Sequence, residues 1–448
     1  MHKIMAASNK HKRLIALALT VALLPGCFLF KSSVPPEILE PLDWPAFRGT
    51  GQSGVAPDGV SAPATWSETE NIAWKTEIPH LGHSSPVIAE GKVWLTSATE
   101  EGNDFYAIAV DQASGEIVCN EALFHCEEAE PLGNAVNGYA SPSVAAEHGR
   151  VYVHFGRYGT ACLNAKTHAV IWKREDLKCR HYRGPGSSPI LFENLLILTF
   201  DGVDVRFVTA LNKDTGETVW KTDRTTVFND YKEDGEMIME GDQRKAFSTP
   251  LVVDVNGRAV LVSPASSAAY GYDARTGEAI WNMDLTGHTT STSPVYGHGH
   301  AYFATGYGGT ELLALRVDGE GDVTESHVDW RMEGKEVPNM PSALLVDDLL
   351  YALSNKSDIS CLDAVSGEVV WAERIGGNFM ASPVYADGKI YFTSSQGKTT
   401  VIKHGRTFEE LAVNELDEGT LATPAIADDA MFLRTEKHLY RIESPDTT

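Results

Sequence analysis

Six cysteines, fifteen histidines and a few short motifs are where this chain could do chemistry. The cysteines are Cys27, Cys119, Cys126, Cys162, Cys179 and Cys361, and no two have the C-x-x-C spacing of a zinc or dithiol redox site. Metal binding by cysteine is therefore not expected. Cys119 and Cys126 are close enough in sequence to close a small loop, which makes them the favoured disulfide; Cys162 and Cys179 form a weaker candidate pair. His298-Gly-His300 would put two rings on one side of a strand, yet no third ligand accompanies them, so the motif reads as hairpin-turn chemistry. Serine recurs before proline, but never within G-x-S-x-G, so no nucleophile is implied. These motifs predict no catalytic residue and no metal site.

The first residues read as an address. Lys3, Lys10, Lys12 and Arg13 precede the apolar run Leu14 to Leu24, and Leu24-Pro25-Gly26-Cys27 follows at once. The run is too short to span a membrane and fits a secretory signal, residues 1–26. The segment resembles a bacterial lipobox, which implies lipidation of Cys27 and a membrane anchor that does not span. Residues 27–43, with Pro35-Pro36, then read as the lipidated cysteine and a spacer. Phe28 after the cysteine favours the outer membrane, on the periplasmic side of the cell envelope.

The composition is that of a folded body: 43% hydrophobic, 22% charged, with 37 basic against 61 acidic side chains for a net charge of −24. Such a field repels phosphate backbones, so no nucleic-acid partner is expected. Self-similarity says more. Small-residue or Met-Pro openings recur at Pro86, Pro142, Pro189, Pro250, Pro294, Pro341, Pro383 and Pro424, spaced 41 to 61 residues apart. Each precedes a short apolar run, a tight turn such as Asp387-Gly388, and a second β-rich run. A further hairpin follows in most copies, as in Asp111 to Glu116, Asn212 to Glu217, Asp273 to Glu278 and Asp363 to Glu368. There Asp or Asn can bond its own turn and Gly supplies the positive φ. The next strand carries Trp172, Trp220, Trp281, Trp330 or Trp371, with Cys119 in that place in the first copy.

Four strands per unit and eight units predict an all-β, eight-bladed β-propeller over residues 44–448. The last copy lacks its outer strand, and Asn71 to Ile78 is positioned to supply it, closing the ring from the N-terminal side.

The unit Asp273-Ala-Arg-Thr-Gly-Glu-Ala-Ile-Trp281 is similar to the tryptophan docking motif of pyrroloquinoline-quinone (PQQ) repeat propellers. Asp43-Trp-Pro-Ala-Phe-Arg-Gly49, Ala73-Trp-Lys75 and His83-Ser-Ser-Pro86 resemble the secreted PQQ-like repeat proteins of bacteria. Three functions follow from the resemblance. One is a non-catalytic, membrane-anchored propeller binding a protein partner or small ligand at its loop-rich face. The second is a PQQ-dependent dehydrogenase, which would need Ca²⁺ and commonly carries an adjacent cysteine pair, absent here. The third is a relative of the propeller lipoprotein of the outer-membrane β-barrel assembly machinery. The first is the expectation, with an unidentified cell-envelope protein or small ligand as partner; no cofactor is expected, PQQ with Ca²⁺ being the alternative.

In a propeller, the loops entering the innermost strands and those joining the second and third strands share one face. The entering loops hold His83, Asn137, Tyr139, Arg183, His288, Asn339 and Asn378; the other set holds Arg157, Arg206, Lys356 and Lys398. They predict a relatively basic, amide-rich mouth for an anionic or carbonyl-bearing ligand. Two long insertions, Asn120 to Ala140 and Arg224 to Phe247, are expected to overhang it.

Overall fold

The computed structural model describes residue 42 and residues 44–133 and 136–445. Cys27, the signal segment and nearly all of the spacer lie outside the described residues. What is described is almost wholly β: eight sheets in chain order, each a four-stranded antiparallel meander, with one sheet gaining a fifth strand.

The sequence of each blade explains its layers. Innermost strands such as Val87–Ala89 and Ala425–Ala427 are short and wholly buried. Outermost strands such as Thr218–Asp223 alternate, burying Trp220 and exposing Val219. That gradient from apolar to alternating is what a blade packed on both faces near the axis and wetted at the rim requires.

Neighbouring blades are locked by their tryptophans. The indole Nε1 of Trp172 donates to Lys213 O at 2.9 Å, Trp220 to Ala274 O at 3.2 Å, Trp330 to Ala364 O at 3.0 Å and Trp371 to Gly405 O at 3.1 Å. The receiving turn belongs to the next blade, and under Trp172, Trp220 and Trp330 its glycine (Gly216, Gly277, Gly367) lies flat against the ring. A Cβ on Gly277 would stand 2.4 Å from Trp220 Cε3, at a φ of +72° that already disfavours a side chain. Trp281 departs from this scheme. The blade after it has no such turn; instead Gly321–Asp322 pairs in parallel with Trp281 and Asn282 as the extra strand, and the buried Trp281 Nε1 has no partner among the described residues. In the first copy Cys119 takes the tryptophan's register, opposite Ala109, while Trp94 meets the edge of His168.

Ring closure follows the expected route. Ile72–Glu77 joins His438–Glu443 antiparallel, with Lys75 opposite Tyr440 and Glu77 opposite His438, so the last blade borrows its outer strand from the N-terminal side. Trp74 then docks on Gln112 O of the first blade like the other tryptophans, at 3.1 Å.

The segment before that strand has a use the sequence did not disclose. Residues 44–56 cross the end of the channel opposite the mouth. Trp44 O accepts from Ile88 N at 2.9 Å and Pro45 O from Ala146 N at 2.7 Å. Gln52 Nε2 donates to Pro250 O at 2.7 Å, Arg48 NH2 to Ala343 O at 2.7 Å, and Ala56 N to Tyr385 O at 2.9 Å. The crossing segment therefore ties blades 1, 2, 4, 6 and 7 together.

Candidate functional site

At the axis, one residue per blade repeats the same bond. The backbone N–H of each blade's ring residue donates to the hydroxyl of the next: Ser85 to Ser143 Oγ (2.8 Å), Ser143 to Ser188 (3.0 Å), Ser188 to Thr249 (2.9 Å) and Thr249 to Ser293 (3.2 Å). The circuit continues from Ser293 to Ser342 (2.9 Å), Ser342 to Ser382 (2.9 Å), Ser382 to Thr423 (3.0 Å) and Thr423 back to Ser85 (3.0 Å). Every ring residue stands two positions before its innermost strand. This corrects the sequence register in two blades, where Ser143 and Ser342, after the proline, take the ring position in place of Ser141 and Met340. The proline was the visible marker, but the hydroxyl is what the ring geometry needs.

Above the ring opens a cavity of about 660 Å³, floored by Phe47 of the crossing segment. His83, Asn137, Arg183 and His288 line it, as expected of the mouth. His83 is half-buried; burial, reinforced by the Arg434 guanidinium, pushes its pKa down to about 4. Burial, with Lys245 adding to it, also lowers His288. Both rings are therefore neutral near pH 7. Asn137 clamps the wall: its Nδ2 donates to Arg183 O at 2.9 Å, and to Gly184 O and Pro185 O beyond it. Arg183 grips Asp242 with two bonds, Nε to Oδ1 at 2.8 Å and NH2 to Oδ2 at 3.0 Å, and Lys245 Nζ joins the same carboxylate. Two cations against one carboxylate leave this side of the mouth net positive on a strongly acidic protein.

The other seven expected residues, Lys356 and Lys398 among them, do not line the cavity. Tyr139 donates to Glu130 O at 2.8 Å and meets the edge of Tyr158. Arg157 pairs with the Glu130 carboxylate. Arg206 lies over Phe228, 4.4 Å from the ring centroid, and donates to Thr226 O. Asn339 donates its backbone N–H to Asn355 Oδ1 at 3.0 Å, and it is Asn355 that lines the cavity. Asn378 belongs to a separate shallow pocket with Gln396 and Lys398. Loop membership could be read from the repeat; which loop residue turns inward depends on local folding. Lys245, Asp242, Phe247, Tyr307 and Asn355, which also line the cavity, were missed.

Ion pairs fix the two insertions. The first is shorter than expected, because its fourth strand runs to His125 and the loop proper starts at Cys126. Glu130 holds it, accepting from His181 N at 2.9 Å and pairing with Arg157. The second is pinned at its base by Arg224–Asp201, both side chains nearly water-free, and inside by Arg244–Asp230. Glu130 and Asp230 are thus both occupied by arginines.

The Cys119–Cys126 disulfide is not formed. Both are free thiols, as are Cys162 and Cys179. Cys119 sits within the strand Ile117–His125 and Cys126 just past its end. Seven extended residues separate their Cα atoms by about 20 Å, far beyond disulfide reach. His298 and His300 also part ways: His298 Nε2 meets Asp347 O and His300 Nε2 meets Asp329 Oδ2, each as a structural contact.

The donor set does not suit PQQ with Ca²⁺. The cavity's one carboxylate, Asp242, is saturated by Arg183 and Lys245, and among the described residues no cluster of three or more His, Cys, Asp or Glu could hold a metal.

Comparison with known proteins bears on the chain as a whole. Residues 205–446 match the family described as outer membrane protein assembly factor BamB. BamB of Yersinia pestis is 21% identical over 287 residues, 53% of this chain and 70% of that protein. Among solved structures, BamB from Moraxella catarrhalis superposes with a TM-score of 0.58 at 12% identity, covering 84% of this chain and 98% of the other. The quinohemoprotein alcohol dehydrogenase of Comamonas testosteroni gives 0.62, also at 12%, over 91% and 81%. At such identities the two structures share the fold.

Proposed function

Because the chain belongs to the family of outer membrane protein assembly factor BamB, we propose that it is a non-catalytic propeller of the cell envelope that holds an outer-membrane assembly protein on its mouth face. One observation carries this reading: the 224–247 loop is rigidly held yet presents apolar side chains to water. Its base is fixed by the Arg224–Asp201, Arg244–Asp230 and Arg183–Asp242 pairs. Between these anchors Val227, Tyr231, Ile238 and Met239 are 82%, 56%, 43% and 58% exposed. Met239 and Glu240 both adopt positive φ, 49° and 56°, a strained turn that keeps the apolar tip outward. Exposed apolar residues on a preformed support mark contact surfaces. The anchor at Cys27 and the periplasmic, outer-membrane location belong to the same proposal.

The test places a photo-crosslinking residue at Tyr231 or Met239, with Val219 on an outer strand as control, in living cells. A discrete adduct with one envelope protein from the loop positions, absent at Val219, is the expected result. Equal crosslinking at all three, or a Tyr231→Ser/Met239→Ser variant that leaves outer-membrane protein levels unchanged, would remove the proposal.

A further inference from the structure

We propose that the floor of the channel, between the hydroxyl ring and the crossing segment, is an anion site that takes a small oxyanion. The inference is independent of what the outer loops hold, and it begins with a count of donors. All eight ring hydroxyls are at most 4% exposed, and each accepts a backbone N–H. Among the described residues none of them donates to a protein acceptor, so eight hydroxyl protons are uncommitted. Seven of the eight, all but Ser143, line the cavity wall. Buried polar groups are seldom left without partners, and a ring of this kind asks for acceptors in the lumen.

Arg48 supplies the second, independent observation. It is wholly buried beside this ring, where its NH2 reaches Ala343 O, next to ring residue Ser342, and Ser53 O at 3.3 Å. Its Nε and NH1 have no partner among the described residues, and no carboxylate pairs with it. Burial alone lowers this guanidinium to about 9, the mark of a cation set in a site without its counter-ion. Gln52, on the same segment, spends its amide N–H on Pro250 O, next to ring residue Thr249. A second buried guanidinium, Arg434, stands behind His83, donating to Ser84 Oγ at 2.7 Å and Thr96 O at 2.8 Å, again with no acid partner.

The balance is lopsided: eight hydroxyl protons and the Arg48 Nε and NH1 groups stand against one unpartnered acceptor of the crossing segment, Gln52 Oε1, while the cavity's one carboxylate is consumed at the rim by Arg183 and Lys245. Water could accept from some of the donors, since it both gives and takes. It cannot neutralise the Arg48 charge. An oxyanion does both, with several lone pairs for the ring and a negative charge for the guanidinium. Entry is from the mouth, past the net-positive pair of Arg183 and Lys245, because Phe47 and the crossing segment close the other end.

The experiment uses the purified full chain, with inorganic phosphate as the solution probe and selenate as the crystallographic one. Phosphate should raise the melting temperature saturably, beyond a sodium chloride control of equal ionic strength, since an ion that binds only the native state stabilises it. Selenate soaks should give an anomalous peak within hydrogen-bonding reach of Arg48 and the ring hydroxyls. Arg48→Gln should weaken phosphate binding roughly tenfold or more, the loss of a charged hydrogen-bond partner. Should that variant fail to fold, Ser342→Ala, which removes one ring donor, should weaken it by a smaller factor. Ordered water alone at the floor of selenate-soaked crystals overturns the proposal. So does a phosphate response equal to the chloride control.

Discussion

Replacing Asp201 by leucine should expose how much of this propeller depends on one buried ion pair. Asp201 closes the second strand of blade 3, and Arg224 opens the 224–247 loop; their side chains are 3% and 2% exposed. The guanidinium bonds both carboxylate oxygens, at 3.0 and 2.9 Å, and adds Ser263 Oγ at 3.0 Å. It also lies 5.1 Å from the Tyr270 ring centroid. Asp201→Leu leaves that cation buried without its counter-charge, a change that costs about 3–5 kcal/mol. With ~2.1 cal/mol/K of unfolding entropy per residue over roughly 400 folded residues, the entropy at the midpoint is about 0.8 kcal/mol/K. The melting temperature should therefore fall by about 4–6 °C. Calorimetry reads this directly. The decisive companion is Asp201→Leu with Arg224→Met, which removes both charges for apolar groups of similar size and should recover at least half of the loss. If the single variant melts within about 1 °C of the parent, or the double is worse than the single, the pair is not the anchor argued here.

Acid should weaken the fold through its buried histidines. Burial pushes His154 down to about 3 and His181 to about 4, as it does His83, so the unfolded chain binds protons first as pH falls below 6.5. Their contribution is complete above pH 6.5 and is lost as pH falls toward 4; His154→Gln should flatten that slope in melting curves, and an unchanged slope would contradict it. Gly277→Ala should destabilise by about 2–4 kcal/mol, because its Cβ meets Trp220, whereas Gly257→Ala, with nothing within 4 Å, should cost only about 1 kcal/mol for its positive φ. Equal losses in denaturant titrations would refute the docking account. Thiol titration of the folded protein should find Cys126 the most reactive of the five described cysteines, since the others are buried, and reductant should leave the melting temperature unchanged. A reductant-dependent drop would restore a disulfide.

The sequence by itself determined the blade count, the strand order within a blade and the borrowed outer strand. These rest on local chemistry repeated along the chain: the proline opening recurs in all eight copies, and the Asp/Asn–Gly turn and the docking Trp in several of them. It also marked the face on which His83, Asn137, Arg183 and His288 would meet. Only the tertiary structure decided which mouth residues turn inward, because Tyr139, Arg157 and Arg206 were claimed by Glu130 and Phe228, partners many residues away or on another loop. It alone showed that an extended strand, Ile117–His125, carries Cys119 away from Cys126 just past its end. The hydroxyl ring was half visible: the Ser-Pro openings pointed to it, yet Ser143 and Ser342 joined it from the far side of their prolines. A closed circuit of hydrogen bonds is a property of eight blades around one axis, and no single repeat contains it. Arg48 is the same case, an ordinary residue in the sequence that becomes a buried cation only when its segment is drawn across the channel.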